Sequence, residues 1–263
     1  MKRVIVTGSF DDLRSRHIRF LEEASKLGEL HVLLWSDKLV ANSGSCSRTL
    51  YGCAGNAGVK PAATNSGPKF PEAERLYMVQ AIRYVSSVRI VDDPRDAGPI
   101  KPDLWVKEES LKLDGFPIPP PMPTPPGRKT VIVTGCYDWF HSGHVRFFEE
   151  VSQLGDLYVG IGNDANIALL KGHGHPFFKQ DERRYIIGSV RYVKECLINT
   201  GRGWMDAEPE IHNLKPDIYA VNEDGDRPEK REFCAKHGLD YVVLKRTPRE
   251  GLTKRSSTDL RGF

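Results

Sequence analysis

The chain spells one pattern twice, and a duplicated unit constrains the fold more than any local propensity. VIVTGSFDDLRSRHIRFLEEASKLGELHVLLWSD (residues 4–37) returns as VIVTGCYDWFHSGHVRFFEEVSQLGDLYVGIGND (residues 131–164). Gly8 and Gly135, His17 and His144, and Asp37 and Asp164 each lie 127 positions apart. ERLYMVQAIRYV (74–85) matches ERRYIIGSVRYV (182–193) at an offset of 108, and KPDLWV (101–106) matches KPDIYAV from Lys215 at 114. Three blocks kept in order over about 100 residues are a duplication. The fall in offset gives the first copy 19 extra residues within 42–68, a stretch rich in Gly, Ser, Asn and Ala. That composition reads as a surface excursion.

Between the copies lies GFPIPPPMPTPPG (115–127). Proline this dense cannot enter a helix or a central strand and favours an extended, semi-rigid linker. The expected organisation is a first domain over 1–114, the linker over 115–127 and a second domain over 128–263. In a 263-residue chain each domain is large enough to fold on its own core.

Each copy alternates strand and helix signals. Residues 131–134 form a short apolar run ended by Gly135, the pattern of a buried strand. Val145, Phe147, Phe148, Val151 and Leu154 recur at helical spacing. Residues 156–162, 218–221 and 241–244 read as strands and 182–193 as a second helix. Alternation of this kind makes βαβ units and a parallel sheet, so the fold class is α/β with two tandem Rossmann-like domains flanked by helices. Ligands of such sheets bind beyond the C-terminal strand ends, where the loop 135–143 lies.

Composition narrows the function classes. A net charge of +3, from 38 basic and 35 acidic residues, is too even to argue for nucleic acid or a membrane surface. No apolar run approaches the ~18 residues of a membrane span, and MKRVIVTGSFDD carries no signal-peptide pattern. The five cysteines are odd in number and irregular in spacing, which argues against a secreted disulfide scaffold. Cys46 and Cys53 are the one close pair, and no matching pair accompanies them to complete a zinc site. The cytoplasm is the expected compartment.

The chemistry concentrates in CYDWFHSGH (136–144). A strand ends, a turn follows and a helix opens near His144, so unpaired N–H groups and a positive dipole face the loop and suit a phosphate. His141 and His144 are three apart and share one side of the first turn. Gly143 lets a ligand approach the backbone. Two imidazoles beside an anion cradle can donate hydrogen bonds to phosphoryl oxygens as charge builds. Taken alone, the same residues also fit two polar histidines at a helix cap or half of a metal site.

GCYDWFHSGHVRFFEEVSQLGD resembles the signature of the cytidylyltransferase-like nucleotidyltransferases, which move a nucleotidyl group from CTP or ATP onto a phosphate or phosphoalcohol and release pyrophosphate. The resemblance implies that His141 and His144 contact the nucleotide phosphates and stabilise the transition state. NDANIALLKG (163–172) is similar to the family stretch whose lysine meets the α-phosphate, here Lys171. ERRYIIGSVRYV resembles the family's arginine-bearing helix and implies that Arg183 holds the nucleotide. RTPREGLTKRSSTDLRG (246–262) resembles the closing element that grips the triphosphate. It implies Arg246, Arg255 or both, together with Ser256, Ser257 and Thr258 at a helix start over 256–261. By position Gly135, Cys136, Tyr137, Gly143 and Asp164 join the nucleotide site. Mg²⁺ is the implied cofactor, with Asp138 as its candidate ligand.

The first copy spells this chemistry differently. Arg14 stands where the second copy has His141, Arg16 where it has Gly143 and Trp35 where it has Gly162. Its expected role is a catalytically silent domain that packs on the second or supports a homodimer, with an anion site at Arg14 and Arg16 as a weaker option. The tandem arrangement resembles ethanolamine-phosphate cytidylyltransferase. Phosphoethanolamine and sugar or polyol phosphates are therefore the acceptor options, with CTP or ATP as donor. A nucleotide-binding sensor or scaffold is the rival reading; the intact HSGH, Lys171 and Arg183 weigh against it. The sequence stops at Phe263, directly after the expected helix, which leaves room for a longer polypeptide.

Overall fold

Each unit starts with a short β-branched run buried on both faces, as a strand covered by helices on either side must be. In the computed structural model, which describes residues 1–43, 67–257 and 260, RVIVTG forms β1 (Arg3–Gly8), with Val4, Ile5 and Val6 fully buried. It leads through α1 (Ser15–Ser25) to β2 (Glu29–Trp35) and α2 (Asp37–Asn42). After the undescribed stretch come α3 (Glu72–Gln80), β3 (Ser87–Val91) and the two-residue β4 (Leu104–Trp105). All pairings are parallel, in the order β3-β2-β1-β4. Cys46, Cys53 and most of the expected 42–68 excursion fall outside the described residues, as does Thr258.

The second unit repeats this plan and extends it. It comprises β5 (Thr130–Gly135), α4 (Ser142–Val151), β6 (Asp156–Gly162), α5 (Asp164–Lys171), α6 (Gln180–Gly188) and β7 (Glu195–Asn199). Then follow α7 (Glu208–Leu214), β8 (Ile218–Asn222), α8 (Pro228–His237) and β9 (Asp240–Leu244). The five strands lie parallel in the order β7-β6-β5-β8-β9. The sheet therefore reverses direction of growth at β5, and the crevice beyond the C-terminal ends of β5, β6 and β8 is its topological switch point. Strand registers repeat with the sequence offsets: Val4 pairs with Leu30 as Val131 pairs with Leu157, and Val4 with Leu104 as Val131 with Ile218.

Contacts divide the chain into Met1–Asp114 and a second unit from Gly115 onward. The proline-rich stretch is thus not a free spacer. Pro119 is buried and lies where a Cβ on Gly188 would reach, and Met122 N–H donates to Lys194 O at 2.8 Å. Thr124 and Lys194 both bond the Asp156 carboxylate, at 2.6 Å each.

Helix α6 is shorter than the expected 182–193. It closes at Gly188 with Ser189 as C-cap, and Val190 and Val193 are buried in the turn that feeds β7. Their apolar spacing reflects that burial and not a continued helix. Helices α7 and α8 carry little periodic apolar signal and start with proline in the first turn, where a missing N–H costs nothing.

Candidate active site

Beyond Gly135 the chain must turn sharply to bring α4 back along the sheet. Tyr137 takes a left-handed conformation (φ 52°) there, and Phe10 does the same (φ 46°) in the first unit. The turn delivers His141 as the N-cap of α4, in extended geometry, with its Nδ1 accepting the Gly143 N–H at 3.1 Å. That contact explains the glycine. A Cβ at 143 would stand 2.9 Å from His141 Cε1 and 3.0 Å from Nδ1, inside ordinary van der Waals distance. His144, one turn along, stacks on His141 with ring centroids 3.9 Å apart and meets Tyr137 edge-on at 5.1 Å. Burial, and then the charges of His141, Arg246 and Lys171, hold His144 well below the usual imidazole range. The ring is neutral at pH 7 and poised to take a proton once negative charge arrives.

His141, Gly143 and His144 open onto a cavity of about 290 Å³ over the N-terminus of α4. Gly135, Cys136, Tyr137 and Asp138 line its floor, Lys171 enters from the end of α5, and Arg246, Ser256 and Ser257 close the far side. Arg246 is oriented by Asp224 Oδ2 at 2.6 Å and by the carbonyl of Arg255 at 2.7 Å. Arg255 itself lines a neighbouring groove with Arg249 and Lys254. Of the two arginines left open by the sequence, Arg246 is the one that faces this cavity.

Arg183 and Asp164 lie outside the lining of this cavity. Arg183 is 0% exposed and donates to the carbonyls of Phe178, Cys136 and Gly162 and to Asp164 Oδ1, all at 2.8–2.9 Å. Arg75 makes the same set in the first unit, to Phe70 O, Ser9 O, Trp35 O and Asp37 Oδ1. With its donors turned inward, Arg183 ties three loops together behind the cavity and does not line it. Asp164 is its counter-ion.

Asp138 lines the cavity with both of its oxygens already bonded. Its oxygens accept the N–H groups of Phe177 and Phe178 at 2.9 and 2.8 Å, as Asp11 accepts those of Lys69 and Phe70. Both oxygens are committed to holding the loop before α6, and Asp224 is paired with Arg246. Among the described residues, the cavity's carboxylates thus do not fit a protein-held Mg²⁺. A metal carried in on phosphate oxygens, as Mg²⁺ commonly is, needs no such cluster.

A second cavity of about 320 Å³ adjoins the first and shares Thr134, Gly135, Cys136, Lys171 and Lys230 with it. Its own walls include Ile167, Trp204, Asp206 and Arg227. None of these was singled out in the sequence. The available signal was topological: Asp224 to Lys230 follow β8, the strand beside β5 on the other side of the switch point.

In the first unit's counterpart the two arginines are ion-paired locally. Arg14 pairs with Asp12, and Arg16 with Glu108. Trp35 Nε1 donates to Thr7 Oγ1 at 2.7 Å, reaching the residue equivalent to cavity-lining Thr134. His17 Nδ1 accepts the Arg14 N–H at 3.1 Å, and burial keeps that ring below the usual imidazole range.

Among the described residues, no helix is long and apolar enough to cross a membrane. The family model described as "Cytidylyltransferase-like" matches residues 132–263. FAD synthase of Ferroglobus placidus is 32% identical over 120 residues, covering 44% of this chain and 75% of that protein. Bifunctional protein HldE of Aliarcobacter butzleri is 40% identical over 73 residues, 27% of this chain and 15% of that protein. A solved structure of the lipopolysaccharide core biosynthesis protein from Thermoplasma volcanium covers 47% of this chain at 24% identity, with a TM-score of 0.40. The matched residues include the histidine pair, Lys171 and Arg246 on a parallel sheet with a switch-point cavity, and the chain belongs to the cytidylyltransferase-like family of nucleotidyltransferases.

Proposed function

We propose that the second unit transfers a nucleotidyl group from a nucleoside triphosphate to a phosphorylated small molecule. The carrying observation is the stacked His141–His144 pair at the N-terminus of α4, with Lys171 and Arg246 entering the same cavity. An acceptor phosphate oxygen attacks the α-phosphorus in line, the bond to the bridging oxygen breaks, and pyrophosphate leaves. No covalent enzyme intermediate is needed, so the protein contributes positioning and positive charge. The α4 amides and the imidazoles receive phosphoryl oxygens. Lys171, shared by both cavities, faces the reacting phosphate, and Arg246 with Ser256 and Ser257 holds the leaving pyrophosphate.

The donor is CTP or ATP. Relatives named FAD synthase favour an adenylyl donor, because FAD is an adenine dinucleotide. The first unit acts as a catalytically silent partner, since Arg14, Arg16 and Trp35 are each bound within it. The test is pyrophosphate release by the full chain with each triphosphate and a panel of phosphate esters. His144→Ala should lower turnover about 10²-fold or more with the melting temperature and nucleotide affinity nearly kept. Unchanged pyrophosphate release from that variant would refute the assignment.

A further inference from the structure

Lys230 is a buried cation with no close counter-ion among the described residues. Its side chain, in the first turn of α8, is 8% exposed and lines both cavities. Its ammonium donates one long hydrogen bond, to Thr134 Oγ1 at 3.4 Å, and lies 5.5 Å from the centroid of the Tyr219 ring. Among the described residues it has no carboxylate within ion-pair distance. A buried charge in that state is costly, and a protein keeps it where a ligand supplies the counter-charge. Burial holds its pKa below the usual lysine range, as expected of an ammonium awaiting its partner.

The wall opposite Lys230 is rigidly built. Asn166, buried in α5, bonds the backbone of Gly203 in both directions, by Nδ2 to Gly203 O at 3.1 Å and from Gly203 N to Oδ1 at 2.7 Å. This fixes the short turn that presents Trp204, whose indole is 51% exposed. The guanidinium of Arg227 sits over that indole, 4.7 Å from the ring centroid. The aromatic face that would welcome an ammonium group already carries a cation. The nearby carboxylates are engaged too: Asp206 accepts from Asn166 and Asn199, and Asp224 pairs with Arg246.

We infer that the cavity of Lys230, Trp204 and Arg227 is the acceptor subsite, and that it selects a phosphate ester whose remainder is uncharged or anionic, such as a polyol or sugar phosphate, over a phosphorylated amino alcohol. This rests on the nucleotidyltransferase reading and deepens it. Lys230 binds the acceptor phosphate on the side of the α-phosphorus away from Arg246, and Lys171 stands between the two anions. Arg227 repels a cationic head group from the Trp204 face and leaves hydroxyl-rich or acidic remainders unopposed.

The test titrates the full chain with inorganic phosphate, glycerol 3-phosphate, a hexose 1-phosphate and phosphoethanolamine, read by tryptophan fluorescence and thermal shift. CTP and ATP binding is measured in parallel. Glycerol 3-phosphate or the hexose phosphate should bind about 10-fold or more tightly than phosphoethanolamine, and Lys230→Met should weaken that binding about 10-fold or more without weakening nucleotide. Arg246→Ala should do the reverse. Arg227→Gln, on an exposed side chain, should fold whatever Lys230→Met does, and should narrow the preference against phosphoethanolamine. Phosphoethanolamine binding as tightly as the polyol phosphate, ester binding unmoved by Lys230→Met, or no ester binding to the folded chain would each overturn the inference. Failure of CTP and ATP to bind, or binding indifferent to Arg246→Ala, would instead overturn the nucleotidyltransferase reading.

Discussion

Gly143→Ala separates turnover from stability better than removing a histidine does. The added Cβ would stand 2.9 Å from His141 Cε1 and 3.0 Å from Nδ1, where carbon contacts ordinarily settle at about 3.5–4.0 Å. The imidazole must retreat by roughly 0.5–1 Å, and it has little room, being 3% exposed and stacked 3.9 Å from His144. A misplacement of about 1 Å in a catalytic group can cost about 10²-fold in rate. Folding responds much less. The Gly143 N–H bond to His141 is worth about 0.5–1.5 kcal/mol, and alanine in a helical position returns up to about 1 kcal/mol. The expected result is a melting temperature within a few degrees of wild type and pyrophosphate release down about 10- to 100-fold. Wild-type turnover in a folded Gly143→Ala chain would show that the ring over the α4 amides does not act on the phosphates.

Four further outcomes follow from the same geometry. His144, held neutral by burial, should take up a proton as a triphosphate binds; calorimetry in buffers of different ionisation enthalpy should show this uptake in wild type and not in His144→Ala. Because its folded pKa is depressed, the contribution of His144 to stability is whole above its unfolded value of about 6.5 and is lost as pH falls below it, at no more than about 1.4 kcal/mol per pH unit; a His144→Ala chain as acid-sensitive as wild type would contradict this. Arg183→Ala removes a fully buried guanidinium that bonds three carbonyls and the partly exposed Asp164, and should cost about 3–5 kcal/mol, whereas Arg184→Ala, which loses a surface pair with Asp181, should cost under about 1 kcal/mol; a stable Arg183→Ala chain that merely loses nucleotide affinity would restore the binding role. Asp138→Asn replaces an oxygen that accepts a backbone N–H and should cost about 1–3 kcal/mol with no specific change in Mg²⁺ dependence; a chain of unchanged stability with altered metal dependence would reverse that reading.

The strands, the helix after HSGH and the unit plan were legible because their signals are local and doubled. β6 matches its expected bounds, and β5, β8 and β9 lie within a residue of theirs. What escaped was decided by tertiary partners. ERRY places two arginines side by side, and nothing local says that the first turns inward to three carbonyls while the second meets Asp181 at the surface. Asp138 looks like a metal ligand until the amides of Phe177 and Phe178, some 40 positions on, are found on its oxygens. Lys230 carried no motif, and its meaning comes from burial beside β5, a strand about 100 residues earlier.

Comparison of the two units supplies a rule for sorting roles. The arginine clamp, the loop-holding aspartate and the left-handed aromatic occur in both, as Arg75 and Arg183, Asp11 and Asp138, Phe10 and Tyr137. A unit with and a unit without HxGH both need them, so they belong to the scaffold. Among the residues that differ at matched positions are three at the crevice: His141 against Arg14, Gly143 against Arg16, Gly162 against Trp35. His17 is the informative exception, since it keeps the imidazole but uses its Nδ1 to cap α1. Restoring HSGH in the first unit would therefore not restore a nucleotide site. Trp35 would still reach over to Thr7, and the first sheet ends at β4, with no counterpart among the described residues of β9 or of Lys230 on the helix before it. Transfer chemistry in this fold depends on the whole crevice on both sides of the central strand, and the histidine pair is its most readable part.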